Sequence, residues 1–149
     1  MKSTTKFISL DVSKEKISVA ILQSLRGIGF LTAVTLVSEI GSFARFASPS
    51  KLMAYLGLVP CEHSSGASTK RGSITKTGNW RLHLTLIESA WSYRHRPAIK
   101  GDLAIRLEGL SEDVQQISWK AQNRLHAKCR LIFGKHKHPN VAIAAVGRD

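Results

Sequence analysis

The sequence predicts a mainly α-helical fold preceded by an N-terminal β-hairpin. Apolar residues recur at helical spacing over most of the chain after residue 22, whereas apolar and polar residues alternate before it. The 149 residues suffice for one domain with a hydrophobic core, and a hydrophobic fraction of 43% is typical of globular proteins. This composition excludes a largely disordered chain.

The β-hairpin is predicted from the stretch KFISLDVSKEKISVAIL, residues 6–22. Residues 7–12 alternate at strand period, and Ile17, Val19 and Ile21 alternate again after the polar residues SKEK. The turn is expected near residues 13–16. Two strands alone are marginally stable in water, so this hairpin would need a further surface to join.

Helical signals follow along the rest of the chain. The stretch FLTAVTLVSEIG has one broad apolar face and ends at Gly41, and a second helix begins with Ser48 as N-cap and Pro49 at the first helical position. A long helix is predicted over about residues 79–93, and another after the N-cap Ser111. A shorter helical segment, KGDLAIRLEGL, lies between these two.

The chain carries a formal net charge of +12, from 22 Lys and Arg residues against 10 Asp and Glu residues. Nucleic acid is the first candidate for a matching polyanion and an anionic membrane surface the second; the alternative is a basic protein without such a partner. No apolar run reaches the roughly 18 residues that span a bilayer. Cys61 and Cys129 are isolated, which indicates neither a disulfide framework nor a zinc site and fits a reducing cytoplasm.

The stretch LRGIG, residues 25–29, is predicted to form a tight turn before a helix. With its flanking segments it has the form of a helix-hairpin-helix element. Gly27 and Gly29 would let backbone N–H groups approach a phosphate at a helix N-terminus, independently of base sequence. The alternative is a glycine turn that only joins two packed helices, and the basic composition favours contact with the DNA backbone.

A polar and basic stretch, CEHSSGASTKRGSITKTGNWR, spans residues 61–81. Two serines precede a glycine and four cations follow them; these residues are Ser64, Ser65, Lys70, Arg71, Lys76 and Arg81. Such a stretch suits a serine that attacks a nucleic-acid phosphate, because cations stabilise the alkoxide and the charged transition state. It suits equally a loop that grips phosphates, and composition alone favours the gripping loop.

Asp11 lies near the end of the first predicted strand, where nuclease folds often carry a metal-binding carboxylate. A single carboxylate holds Mg²⁺ poorly, so the residues alone favour an Asp that starts a turn. The six His residues show no metal-ligand spacing. Trp80, Trp91 and Trp119 are expected to be core residues rather than platforms on which bases stack.

Four motifs occur together and in order: the G-I-G turn, YLGLVP at 55–60, SSG at 64–66 and GSITKTGN at 72–79. On these motifs, residues 23 to 149 resemble the C-terminal transposase domain of the insertion-sequence one-ten family. These bacterial transposases are related to the pilin-gene invertase and include bridge-RNA-guided recombinases. The first 22 residues resemble the opening of the same family's RuvC-like (RNase H-like) domain.

The resemblance implies DNA transposition by serine recombination, assisted by Mg²⁺ at the RuvC-like site. Asp11 takes the place of the first metal-binding acid, and Ser65 that of the nucleophile that joins DNA, with Ser64 as the alternative. The implied partners are DNA, a guide RNA, and further copies of the chain or a full-length transposase, but no membrane. The implied location is the bacterial cytoplasm, at the nucleoid.

The chain departs from the family pattern between residue 22 and the G-I-G turn, where the family's further acids and coiled coil are missing. It resembles an internally deleted, C-terminally trimmed transposase, with a RuvC-like remnant at 1–22, the transposase domain at 23–134 and a basic, apolar tail at 135–149. Stable Mg²⁺ binding and independent recombinase activity are therefore not expected. A non-catalytic DNA- or RNA-binding fragment that co-assembles with full-length transposase, or a decayed reading frame, are the alternatives to a recombinase.

Overall fold

The computed structural model describes residues 16–65 and 68–149, and it describes their side chains except those of 63–65 and 68–71. Residues 16–23 are helical and form α1. The further elements are α2 (Phe30–Ile40), α3 (Pro49–Tyr55), β1 (Pro60–Ser65), β2 (Ser68–Ile74), α4 (Trp80–Ala90), α5 (Asp102–Leu107), α6 (Glu112–Phe133) and α7 (Pro139–Gly147). The predicted mainly α-helical class is confirmed.

Helix α1 corrects the prediction of a β-hairpin over residues 6–22. Residues 16–22 are helical where the second strand was expected, and the first predicted strand lies outside the described residues. Val19 and Leu22 pack against the core, whereas Ile17 and Ile21 are 60% and 42% exposed. Spacings of three and four residues within one face are those of a helix. The short apolar run satisfies both periods, which explains why its sequence misled.

The predicted N-cap residues stand at the starts of α3 and α6, but not every predicted capping hydrogen bond is formed. Ser48 and Ser111 occupy the N-cap positions of α3 and α6, but neither side chain makes a capping hydrogen bond. Pro49 begins α3, as its fixed φ favours. Helix α4 continues from Ala90 into a short 3₁₀ turn, Trp91–Arg94, and the predicted long helix therefore ends close to its expected residue.

Strands β1 and β2 form an antiparallel hairpin within the stretch that the sequence showed only as a polar connection. Pro60 pairs with Ile74 and Ser65 with Ser68, and the pairing is irregular between Pro60 and Glu62. Two residues before β1, Leu58 is fully buried. The base of the hairpin is therefore anchored in the helical core.

Two clusters of buried apolar residues form the core, and α4 belongs to both. The first cluster consists of Ile28, Ala33, Leu36, Ile40, Leu56, Leu58 and Leu82. The second consists of Ala90, Tyr93, Leu125, Cys129, Ile143 and Val146. Because Leu82 lies near the start of α4 and Ala90 at its end, this helix connects the two clusters.

Helix α7 changes the picture of residues 135–149, which we expected to be a tail. Ile143 and Val146 are buried in the second cluster, and Ala142 is fully buried as well. Only the connection before α7 matches the expected solvated basic segment, since Lys135 and Lys137 are exposed. None of the described helices has the length and apolar composition needed to cross a bilayer.

Candidate nucleic-acid interface

The G-I-G turn connects α1 to α2, and its two glycines have different surroundings. Gly27 has a φ of +84°, and a Cβ on it would lie 2.4 Å from the carbonyl oxygen of Ser89 and 2.5 Å from Oγ of Ser92. A Cβ on Gly29 would have nothing within 4 Å. Gly27 is thus required for packing against the end of α4, whereas Gly29 leaves the backbone at the start of α2 open.

Helix α2 begins at this open position without a side-chain cap. Gly29 is its N-cap residue, and the first turn of α2 contains no acidic residue. The amide of Ala33 bonds to the carbonyl of Gly29, as in the first complete helical turn. The N–H groups that precede Ala33 in a helix have no intrahelical acceptor and give the N-terminus a partial positive charge.

Three side-chain hydrogen bonds join the turn and its flank to distant parts of the chain. Nη1 of Arg106 donates to the carbonyl of Ile28. Oγ of Ser118, which is buried, donates to the carbonyl of Ser24 at 2.5 Å. Nη1 of Arg26 donates to the carbonyl of Arg96 at 2.7 Å. The turn is therefore fixed by α5, α6 and the segment after α4.

Gln122 on α6 makes a further contact with Arg26. Its Oε1 accepts from Nη1 of Arg26 at 3.2 Å and from the backbone amide of Ala98 at 2.7 Å. Tyr93 lies close by, where burial raises the pKa of its phenol to about 12 although the charge of Arg26 lowers it. Nη1 of Arg26 therefore links the G-I-G turn to the segment after α4 and to α6.

The loop from Thr75 to Asn79 packs against the segment between α3 and β1. The amides of Thr75, Lys76 and Asn79 donate to the carbonyls of Val59, Gly57 and Tyr55 at 2.9, 3.1 and 3.2 Å. Lys76 has a φ of +55°, and this places an exposed cation at a sharp bend of the backbone. Three backbone hydrogen bonds over five residues make this loop well defined.

Asn79 fixes the start of α4, close to Arg81, the last cation of the polar and basic stretch 61–81. Its Oδ1 accepts from the amides of Arg81 and Leu82 at 3.1 and 3.2 Å. Arg81 is exposed, and its Cζ lies 6.0 Å from the centre of the Trp80 ring. The capped first turn of α4 thus presents a cation beside an exposed aromatic ring.

The expectation that the tryptophans are core residues is wrong for two of the three. Trp80 is 67% exposed and Trp119 is 41% exposed. Trp91 is partly buried and packs against the second cluster, as expected. Trp80 is the first residue of α4, where the next buried position is Leu82, so its indole cannot reach the core.

The candidate serines lie at the far end of the hairpin. Ser65 is the last residue of β1 and pairs with Ser68, and Ser64 pairs with Thr69. On the same two strands, His63 pairs with Lys70 and Glu62 pairs with Arg71. The backbone therefore brings both serines and the first two predicted cations into one hairpin.

The remaining predicted residues do not form a single cluster. Gly27 contacts the C-terminal end of α4 at Ser89, whereas Arg81 lies in its first turn. The eight-residue step between Arg81 and Ser89 corresponds to about 12 Å along a helix axis. The structure thus separates the G-I-G turn from Lys76 and Arg81 by most of the length of α4.

The predicted metal-binding role of Asp11 is not tested by the described residues. Asp11 itself lies outside them. Within residues 16–65 and 68–149, no three His, Cys, Asp or Glu residues are grouped so that they could hold a metal ion. A magnesium site therefore does not fit the described part of the chain.

Sequence reasoning missed the basic residues that serve the fold. Arg26 and Arg106 hold the G-I-G turn, while Arg124 and Lys128 pair with Asp149 at 3.0 and 2.7 Å. Partial burial raises the pKa of Asp149, but Lys128, Arg124 and Arg148 outweigh this and hold it below its usual value. In the sequence, only the position of Arg26 directly before Gly27 indicated that a basic residue could hold the G-I-G turn.

Among known proteins, the chain is similar to transposases of insertion sequences. The model of the family described as "Transposase IS116/IS110/IS902 family" matches residues 19–103, more than half of the 149 residues. No solved structure matches the chain.

Three curated relatives share this similarity. "Putative transposase y4qE" of Sinorhizobium fredii is 47% identical over 131 residues, covering 88% of this chain and 34% of the relative. "Putative transposase y4rJ" of the same organism is 31% identical, covering 89% and 33%. "Transposase for insertion sequence element IS1111A" of Coxiella burnetii is 39% identical over 69 residues, covering 46% and 19%.

The chain therefore belongs to the IS116/IS110/IS902 family of transposases, and the resemblance inferred from its motifs is confirmed. It spans about a third of the length of the two Sinorhizobium relatives.

Proposed function

We propose that this chain is a DNA-binding part of an insertion-sequence transposase that recombines DNA through a serine. The observation that carries the proposal is the open start of α2 at Gly29, which is uncapped and held in place from three sides. Family membership and the net charge of +12 indicate that the ligand is DNA.

At the first contact, a DNA phosphate lies against the N-terminus of α2. The free amides and the positive end of the helix dipole favour an anion there. Gly29 leaves room for a sugar-phosphate chain to approach the backbone, because nothing occupies the position of a Cβ. This is the helix-hairpin-helix mode of binding, which reads the phosphate backbone and not the bases.

At the second contact, Lys76 and Arg81 bind further phosphates at the other end of α4, together with Lys70 and Arg71 of the hairpin. Both Lys76 and Arg81 are exposed. A separation of about 12 Å along α4 corresponds to roughly three to four base pairs of duplex at 3.4 Å each. This spacing is short enough for one DNA segment to span.

The reaction proposed for the hairpin is attack by Ser65 on a DNA phosphate, with Ser64 as the alternative nucleophile. The serine oxygen forms a bond to phosphorus, the bond from phosphorus to one deoxyribose oxygen breaks, and that oxygen takes up a proton. The serine releases its own proton to solvent as this bond forms, which balances the proton that the leaving oxygen takes up from solvent. The neighbouring cations neutralise the charge that develops on the phosphate oxygens. No step is assigned to a metal ion, because the described residues contain no set of ligands for one.

DNA binding is tested by fluorescence anisotropy on labelled duplex DNA over a range of salt concentrations. We expect affinity to fall about a thousandfold between low and moderate salt, because several phosphates release counterions. Replacing both Lys76 and Arg81 by Gln should weaken binding at least about tenfold and reduce the salt slope by about two. The matched control replaces Lys135 and Lys137, which are exposed on the connection between α6 and α7. Equal losses in the two double variants would refute the second contact.

A second candidate function is a binding fragment that co-assembles with a longer transposase. It is favoured by the exposed cations Lys76 and Arg81, because binding phosphates requires no nucleophile on the same chain. The two candidates are separated by incubating the chain with element DNA and Mg²⁺, with and without a full-length relative, and looking for a covalent protein–DNA adduct. An adduct of this chain alone that disappears in Ser65→Ala supports the recombinase. An adduct that requires the relative supports co-assembly, and one that disappears only in Ser64→Ala identifies the other serine.

A further inference from the structure

A groove lies between the base of the β-hairpin and helix α7. Its volume is about 610 Å³, within the range of about 300 to 1,000 Å³ that is usual for small-molecule sites. One wall is formed by Pro60 and Ile74 near the hairpin base, and the other by Val141 and Ala144 of α7. We call it the hairpin–α7 groove.

Two cations line the hairpin–α7 groove. They are Lys76, at the bend after β2, and Arg148, at the C-cap of α7. The lining contains no acidic residue. In the described part of the chain neither cation forms an ion pair, although the charge of Arg148 contributes to the lowered pKa of Asp149. The groove thus combines apolar walls with a positive edge, which suits an anionic ligand that has an apolar body.

A side-chain amide is also available in the groove. Asn140 is an exposed lining residue, and its backbone amide bonds to Nδ1 of His138, which caps α7. The Asn140 side chain is not used for capping, so its amide can both donate to and accept from a ligand. Donor and acceptor side by side are what the edge of a nucleobase requires.

We propose that the hairpin–α7 groove binds one unpaired nucleotide of a DNA or RNA strand. This inference rests on the proposed binding of nucleic acid and assigns it a second mode, in which a base is contacted directly. The base lies between the apolar walls, its edge bonds to Asn140, and its phosphates lie at Lys76 and Arg148. The nucleotide is unpaired because bases within a duplex are stacked and cannot enter a groove.

The hairpin–α7 groove lies at the base of the same hairpin that carries the candidate serines at its far end. Pro60 and Ile74 belong to the two strands that lead to Ser65 and Ser68 at the far end of the hairpin. A nucleotide held at the base would therefore be fixed relative to the strand that reaches the serines. We expect this to place the unpaired strand in register with the reacting phosphate.

The test measures binding of a labelled single-stranded DNA and of the same strand without bases to the intact chain. The variant is Val141→Asp, because Val141 is 54% exposed and lies in the first turn of α7, where an acid is compatible with a helix. The matched control is Ile117→Asp on α6, since Ile117 is 63% exposed and does not line the groove. Both variants change the net charge equally, and thermal unfolding confirms that both are folded.

We expect Val141→Asp to weaken binding of the intact strand about tenfold more than Ile117→Asp, and the strand without bases to bind wild type at least about tenfold more weakly. If the two variants lose affinity equally, or both strands bind alike, the groove is not a nucleotide site although DNA binding stands. If wild type binds neither duplex nor single-stranded DNA, the proposed function fails as well. If Val141→Asp affects only capture of a protein partner, the occupant is a protein and the proposal is wrong.

Discussion

Nδ2 of Asn79 donates a hydrogen bond of 2.7 Å to Oε2 of Glu39, and this bond joins the N-terminus of α4 to the last turn of α2. The same Asn79 side chain caps α4 through its Oδ1. One amide thus satisfies two backbone N–H groups of one helix while it holds a carboxylate of another. The geometry of the second proposed DNA contact depends on this link, because Arg81 lies in the capped turn.

Removing this link should destabilise the protein. We expect Asn79→Ala to lower the free energy of unfolding by about 2 to 3 kcal/mol, from the lost cap and the lost bond to a carboxylate. Glu39→Ala should cost less, because the cap remains. Urea denaturation of both single variants and the double variant measures the coupling energy, which we expect to be about 1 to 2 kcal/mol. Strictly additive losses would mean that the two side chains do not interact.

The two glycines of the G-I-G turn should respond differently to alanine. We expect Gly27→Ala to cost about 2 kcal/mol or more, because it combines a φ of +84° with a clash against the carbonyl oxygen of Ser89. Gly29→Ala should change the free energy of unfolding by less than about 0.5 kcal/mol, since its φ of −81° is allowed and its surroundings are open. Thermal unfolding of the two variants is the measurement. Similar stability in both would contradict the packing described for Gly27.

Substitutions in α1 distinguish a helix from a strand in solution. Val19 packs against the core and Ile17 is 60% exposed, although the two would share one face of a strand. We expect Val19→Asp to cost about 2 kcal/mol or more and Ile17→Asp less than about 0.5 kcal/mol. The two variants are matched in charge and lie two residues apart. Equal losses measured by chemical denaturation would favour the strand.

Tyr93 should make the protein less stable at alkaline pH. Burial raises its pKa from about 10 to about 12, so the folded state binds a proton that the unfolded state releases. This contribution to stability is complete below pH 10 and decreases as the pH rises through 12. We expect wild type to lose about 2 kcal/mol by pH 12 relative to Tyr93→Phe. Absorbance titration of the phenolate and unfolding at several pH values measure both quantities, and parallel curves for the two proteins would refute the raised pKa.

Helices α2, α3, α4 and α6 could be predicted because each carries its own signals, whereas α7 lies where we expected a tail. Pro49 marks the start of α3, and Gly41 follows the last turn of α2. Helix α1 could not be predicted, because its short apolar run fits either period and only packing against the first core cluster selects the helix. The β-hairpin was missed for the opposite reason, since its strands PCEHSS and STKRGSI have almost no apolar residues to show an alternation.

The sequence allowed candidate residues of the nucleic-acid interface to be named, but it did not show which of them lie together or which are bound within the fold. Gly27 and Gly29 look equivalent in the sequence, and their roles differ only because Ser89 and Ser92 lie against one of them. Likewise, Arg26 and Arg106 count towards the net charge as Lys76 does, yet they donate hydrogen bonds to backbone carbonyls of distant residues. Such differences arise from contacts between residues far apart in the chain, which no local pattern records.

The position of α4 between the G-I-G turn and the Asn79 cap limits how this family can vary. One inserted residue would lengthen the helix by about 1.5 Å and rotate one end relative to the other by about 100°. Either Asn79 would then turn away from Glu39, or Ser89 would no longer meet Gly27. We therefore expect functional homologues to keep the eleven-residue length of α4, and to place their insertions and deletions at the tip of the hairpin instead.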